Sequence, residues 1–138
     1  MYSALVIDHF ERPRNMGTLP DANGVATVGS PALGDVMKLQ LKIAPVKGVE
    51  TIVDVKAKVY GCGSAIASTS YLTERIKGRP VAEAAAIQNK DIAQALALPP
   101  VKIHCSVLAE DALKAALEDY RKRQAGVAKP QGATSPSA

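Results

Sequence analysis

The sequence predicts an α+β fold: a small three-stranded antiparallel sheet with helices packed on one face, opened by an N-terminal helix and closed by a long C-terminal one. Three observations lead there. Apolar and polar residues alternate with the period of a strand only up to Tyr60. Helical spacing takes over after Gly61. And 138 residues, 47% hydrophobic and 22% charged, provide one ordinary core. Strands first and helices after is the pattern of a sheet covered on one side, not of alternating parallel units.

Residues 3–11 read as a short amphipathic helix, capped by Ser3 and stopped by Pro13. Positions 12–25 hold two prolines, two glycines and two asparagines, a loop composition. Val25–Gly29 supplies a short edge strand. In the next run Met37, Leu39, Leu41 and Ile43 alternate with Val36, Lys38, Gln40 and Lys42, as in a half-buried strand. A turn near Pro45–Gly48 leads to Val53, Val55, Ala57 and Val59, alternating with Asp54, Lys56 and Lys58, which completes an antiparallel hairpin. From Ser64 to Lys77 the chain is helical, with Gly78 as the residue that ends it. Val81–Ile87 and Asp91–Leu96 are two short helices, the second capped by Asn89 and followed by Pro99 and Pro100. The last helix runs from Ile103 to Gln124. Val107, Leu108, Ala112, Ala115, Ala116 and Tyr120 form its inner stripe, and Glu110, Asp111, Lys114, Glu118 and Asp119 lie outside. Residues 1–125 thus make one domain. Residues 126–138 form a low-complexity tail, expected to be disordered.

Composition excludes several functions. No apolar run is long enough to span a bilayer. Asp8 and His9 break the first apolar stretch and no basic segment precedes it, so a secretory leader is not expected. The chain has no Trp and one Phe, which removes base-stacking platforms. Its net charge of +4 is spread out, and the one tight cluster, Arg121–Arg123, suits a helix C-terminus. Neither nucleic acid nor membrane is an expected partner, and the cytoplasm is the expected compartment.

Chemistry concentrates at two helix starts. Cys62 stands between Gly61 and Gly63, where strand turns to helix; the glycines leave the sulfur uncrowded, and a helix N-terminus favours a thiolate. His104 and Cys105 are adjacent, just after Pro99 and Pro100, at the start of the last helix. Imidazole and thiolate together suit zinc or iron. Two such helix starts converge readily on one metal, and Asp35, after Gly34 at the head of a strand, adds an oxygen. No Gly-rich phosphate loop and no Ser-His-Asp order is present. His104 is the only general base near an activated cysteine, which leaves little for an enzyme reading. His9, the other histidine, lies on the first helix and is expected to be structural.

These residues carry a resemblance. The chain from Tyr2 to about Gln124 resembles the iron–sulfur cluster assembly scaffolds, the IscU proteins and the N-terminal domain of NifU. The matching segments are the opening Tyr2–Gly17, the strand Gly34–Gln40, the run Tyr60–Ser68 around Cys62, and Leu98–Asp111 around His104 and Cys105. The resemblance implies a non-catalytic scaffold that takes sulfur from a cysteine desulfurase, binds iron, builds a 2Fe–2S cluster and passes it to apo-proteins. It implies that Cys105 accepts the sulfur and that Asp35, Cys62, His104 and Cys105 hold the metal or cluster. It also implies that a DnaK-like chaperone with its J-type co-chaperone recognises Leu98, Pro99, Pro100, Val101 and Lys102. A frataxin-like protein and a ferredoxin are further implied partners.

The sequence departs from the family at one position. The family carries a cysteine directly before the Gly-Asp pair; here Leu33 precedes Gly34 and Asp35. A 2Fe–2S cluster takes four terminal ligands, mostly thiolates. Without that cysteine the set is two thiolates, one imidazole and one carboxylate, which suits a single tetrahedral Zn²⁺ or Fe²⁺ at least as well. Two expectations therefore stand side by side: a working scaffold, or a divergent paralogue that binds one Zn or Fe ion or relays sulfur without completing a cluster.

Overall fold

The computed structural model describes residues 3–30 and 34–128. The elements follow the order expected: α1 (Ala4–Glu11), β1 (Gly24–Ser30), β2 (Asp35–Val46), β3 (Val49–Tyr60), α2 (Gly63–Ile76), α3 (Val81–Ala85), α4 (Asn89–Leu96) and α5 (Ile103–Ala128), with a 3-10 turn at Pro100–Lys102 before α5. The sheet is antiparallel in the order β1-β2-β3. Its inner face is the expected row Met37, Leu39, Leu41 and Ile43 on β2, with Ile52, Val55 and Ala57 on β3. Leu72 and Ile76 of α2, and Ala109, Leu113 and Ala116 of α5, complete the same core. α5 lies along β1, close enough that a Cβ on Gly24 would stand 2.7 Å from the Ala116 carbonyl.

The expected row on β3 is half right. Val55 and Ala57 are buried, but Val53 is 37% exposed and Ile52 takes the inward place. A β-bulge explains it. The register passes from Lys42 opposite Asp54 to Ile43 opposite Ile52, leaving Val53 as the extra residue and flipping the phase of the alternation.

The loop composition of 12–25 hides an ordered path. Gly17 donates to the Ala57 carbonyl and Ala57 donates to the Asn15 carbonyl, both at 2.9 Å, so the segment lies along the free edge of β3. It then crosses the outer sheet face. There Gln40 Oε1 accepts from the Leu19 amide at 3.0 Å and Gln40 Nε2 donates to the Gly17 carbonyl at 2.9 Å. That is why an outward-facing glutamine is buried. The same path protects an edge that would otherwise be open to pairing.

Caps account for the helix limits. Ser3 Oγ accepts from the Val6 amide, as expected, and also donates to the Leu96 carbonyl at 2.6 Å, which ties α1 to the end of α4. α4 is capped not by Asn89 but by Gln88, in a reciprocal pair with Asp91; the Asn89 side chain is engaged by Glu110 of α5. α4 stops before the prolines, at Ala97, a non-glycine residue in the left-handed region (φ 52, ψ 49). α5 also corrects the sequence reading. Its buried stripe is Cys105, Ala109, Ala112, Leu113, Ala116, Leu117 and Tyr120, while Val107 faces solvent. The helix continues past Gln124 to Ala128. The rest of the expected tail, and Leu33, fall outside the described residues.

Candidate functional site

The site lies at the end of the sheet where β2 begins and β3 ends. Antiparallel pairing sets Val36 opposite Tyr60, so Asp35 sits beside the Gly61–Cys62 step that leads out of β3. Cys62 is the N-cap of α2 and Gly63 its first residue. α5 starts at the same end of the molecule and brings His104 and Cys105 in its first turn. Three separate elements thus deliver the four side chains singled out from the sequence.

Their contacts form a chain. Asp35 Oδ2 lies 3.2 Å from His104 Nε2, His104 Nε2 lies 3.6 Å from Cys105 Sγ, and Cys105 Sγ lies 3.7 Å from Cys62 Sγ. The other carboxylate oxygen, Asp35 Oδ1, accepts from the Cys62 amide at 3.2 Å, so the helix start fixes Asp35. Among the described residues no group of three or more His, Cys, Asp or Glu side chains is arranged as it stands to hold a metal ion. The four atoms are linked in a row, with three neighbour distances set and the cage left open.

Backbone geometry explains the glycines. A Cβ on Gly61 would stand 2.3 Å from Asp35 Oδ1, so only glycine leaves room for that carboxylate. Gly34 has φ +84, a conformation that L side chains rarely adopt, and it sets the direction from which Asp35 enters β2. Gly63 lies against the Phe10 ring, which sequence reasoning did not connect to the site. Phe10 is half exposed on α1; the only signal of its role is an apolar residue where α1 needs none. Pro13, Met16, Val59, Tyr60 and Ile66 line a shallow, mostly apolar cleft of about 290 Å³.

Burial differs sharply across the four. Cys105 is fully buried, Cys62 is half-buried, and the His104 side chain is 51% exposed. Burial pushes the Cys105 thiol up to about 12, with Cys62 and Asp35 adding to the effect and Lys102 opposing it. Proximity to a helix start therefore does not make Cys105 a thiolate in the metal-free protein; desolvation outweighs it. Two further hydroxyls, Ser64 Oγ and Ser68 Oγ, are buried on α2 with no hydrogen-bond partner among the described residues.

The segment Leu98–Lys102 joins α4 to α5 and runs directly into the site. Leu98 is buried, Pro99 and Lys102 are half-buried and Pro100 is exposed. His9 is structural, as expected: it is buried, its Nδ1 is 2.7 Å from Ser70 Oγ, and Tyr71 meets its ring edge-on.

Residues 1–127 match the family described as the NifU-like N terminal domain. The chain belongs to that family. The iron–sulfur cluster assembly scaffold protein IscU of Haemophilus influenzae is 57% identical over 126 residues, covering 89% of this chain and 98% of that protein. Its namesake in Escherichia coli K12 is 59% identical, covering 89% and 96%. Among solved structures, the N-terminal part of a nitrogen-fixing NifU-like protein from Brucella abortus superposes with a TM-score of 0.68 at 18% identity, over 88% of this chain and 94% of that one. That last likeness bears on the fold, and it agrees with the sheet and helix order found here. No helix of the described residues is long and apolar enough to cross a membrane.

Proposed function

We propose that this protein is a scaffold for iron–sulfur cluster assembly, with Cys105 as sulfur acceptor and Asp35, Cys62, His104 and Cys105 as the ligands that hold iron or the growing cluster. The convergence of these four side chains from three elements carries the reading, and the names of its relatives support it. Iron and sulfide are cargo here, and the protein turns over no substrate of its own. A cysteine desulfurase supplies the sulfur, a ferredoxin and a frataxin-like protein act during assembly, and apo-proteins receive the product in the cytoplasm. A DnaK-like chaperone with its J-type partner takes hold of Leu98–Lys102. Because Leu98 is buried, that grip requires the segment to leave the core, and α5 with His104 and Cys105 starts at its end.

A second reading has its own observation. In a tetrahedral site with ordinary metal–sulfur, metal–nitrogen and metal–oxygen lengths, the S–S, S–N and N–O edges are about 3.8, 3.6 and 3.3 Å. The observed neighbour distances are 3.7, 3.6 and 3.2 Å. Three of the six edges of such a site are thus already present in the metal-free chain, which supports one Zn²⁺ or Fe²⁺ at these residues. Leu33 offers no donor atom, so a full cluster has to use Asp35, a harder oxygen ligand than the soft core prefers.

Anaerobic reconstitution with iron, cysteine and a cysteine desulfurase separates the two, run beside a Leu33→Cys variant. Two irons and two sulfides per chain in the unmodified protein, transferable to an apo-ferredoxin, support the scaffold. A colourless unmodified protein holding one metal ion, beside a red-brown Leu33→Cys, supports the paralogue. If both proteins bind neither metal nor sulfide, both readings fall.

A further inference from the structure

A sulfur atom carried as a persulfide must gain two electrons before it becomes sulfide. The fold places one source of those electrons in contact with the acceptor. Cys62 Sγ lies 3.7 Å from Cys105 Sγ, close to van der Waals contact and near the separation from which a positioned nucleophile attacks. Cys105 is fully buried, and Cys62 is the thiol already in contact with its sulfur. These are the only two cysteines in the chain, since Leu33 occupies the third family position, so no other internal thiol can compete.

We propose that Cys62 is a resolving thiol that releases sulfide from a persulfide on Cys105 without an external reductant. The step deepens the proposed function and rests on its assignment of Cys105 as the acceptor. Cys62 Sγ attacks Cys105 Sγ. The bond between Cys62 Sγ and Cys105 Sγ forms, and the bond between Cys105 Sγ and the carried sulfur breaks. The carried sulfur leaves with the electron pair and the proton given up by Cys62, as hydrosulfide or hydrogen sulfide. The two cysteine sulfurs give up one electron each and the carried sulfur gains both, so the balance closes. The product is a Cys62–Cys105 disulfide, which a dithiol reductant returns to two thiols for the next round. Metal at the site and sulfide release from it are then alternatives, because one pair of thiols serves both.

The test uses the full chain, metal-free and anaerobic, with inorganic polysulfide as the sulfur source and excess removed by rapid desalting. Free sulfide is followed by methylene blue formation and the cysteines by non-reducing peptide mass spectrometry. The wild type should yield sulfide and a Cys62–Cys105 disulfide in equal amounts on one time course. Cys62→Ser should keep the added sulfur on Cys105 and yield no sulfide above the protein-free control. If the wild type instead holds the persulfide with Cys62 reduced, or if Cys62→Ser releases sulfide as fast as the wild type, the resolving role is wrong while the acceptor assignment survives. If Cys62→Ser never acquires sulfur on Cys105, the acceptor assignment fails and the resolving step with it. The wild-type stoichiometry stands even if the variant folds poorly.

Discussion

At the scale of single residues, the site depends on positions that hold no metal donor. Gly61 is the clearest. A methyl group there stands 2.3 Å from Asp35 Oδ1 and 3.3 Å from Asp35 Cα, so Gly61→Ala must push the carboxylate away from His104. Removal of such a supporting contact typically lowers metal affinity by about 10–100-fold. Zinc titration against a chromophoric chelator should show a loss of that size in Gly61→Ala. Unchanged affinity would mean that Asp35 is not a ligand.

His9 makes a second residue-scale prediction, away from the metal. Burial holds its pKa below the ordinary 6.5, with Arg14 adding to the effect and Glu74 and Asp8 opposing it. The folded state thus favours neutral imidazole, while the unfolded chain takes up a proton from 6.5 downward. The contribution of neutral His9 is complete above about pH 7 and declines as pH falls below 6.5 toward the folded value. Urea midpoints of the metal-free protein should fall over that range, and His9→Gln should flatten the decline.

At the scale of elements, α5 both builds the core and delivers His104 and Cys105. Leu113 is fully buried in its middle, and Leu113→Ala should cost about 2–5 kcal/mol. Denaturant unfolding would show this as a lower midpoint at unchanged slope. The end of α4 offers the opposite change. Ala97 holds a left-handed backbone (φ 52, ψ 49) that glycine adopts freely, so Ala97→Gly should stabilise the protein by about 0.5–1 kcal/mol. What was legible in the sequence follows the same scale. Cys62, Asp35, His104 and Cys105 stand out because each lies at an element boundary marked by glycine or proline. The α5 stripe was misread because its alanines fit several helical faces, and only packing against β1 and β2 selects Leu113 and Leu117 over Val107. The bulge at Val53 leaves no mark in a run of valines and lysines. The edge pairing of 15–17 is invisible because a single bridge needs no β-forming sequence.

At the scale of the whole molecule, the sheet, α2 and α5 meet at one end, and Asp35, Cys62, His104 and Cys105 sit there. A metal that binds only the folded chain stabilises it by mass action, by about 2.7 kcal/mol at a hundredfold excess over Kd. For a domain of this length that is a rise in Tm of roughly 10 °C. Zn²⁺ should produce it and a chelator should reverse it. Superimposable melting curves with and without Zn²⁺ would show that the pocket does not bind the ion. Labelling with a thiol reagent should also modify half-buried Cys62 before buried Cys105 in the metal-free protein, and Zn²⁺ should protect both.

The central claim is that Asp35, Cys62, His104 and Cys105 act as one set of ligands. X-ray absorption at the zinc edge of the anaerobic protein loaded with one Zn²⁺ per chain tests it most directly. The expected first shell holds two sulfurs at about 2.3 Å and two lighter donors at about 2.0–2.1 Å, with the outer-shell signature of one imidazole. A shell of nitrogen and oxygen alone, or one sulfur with waters completing the sphere, would contradict it.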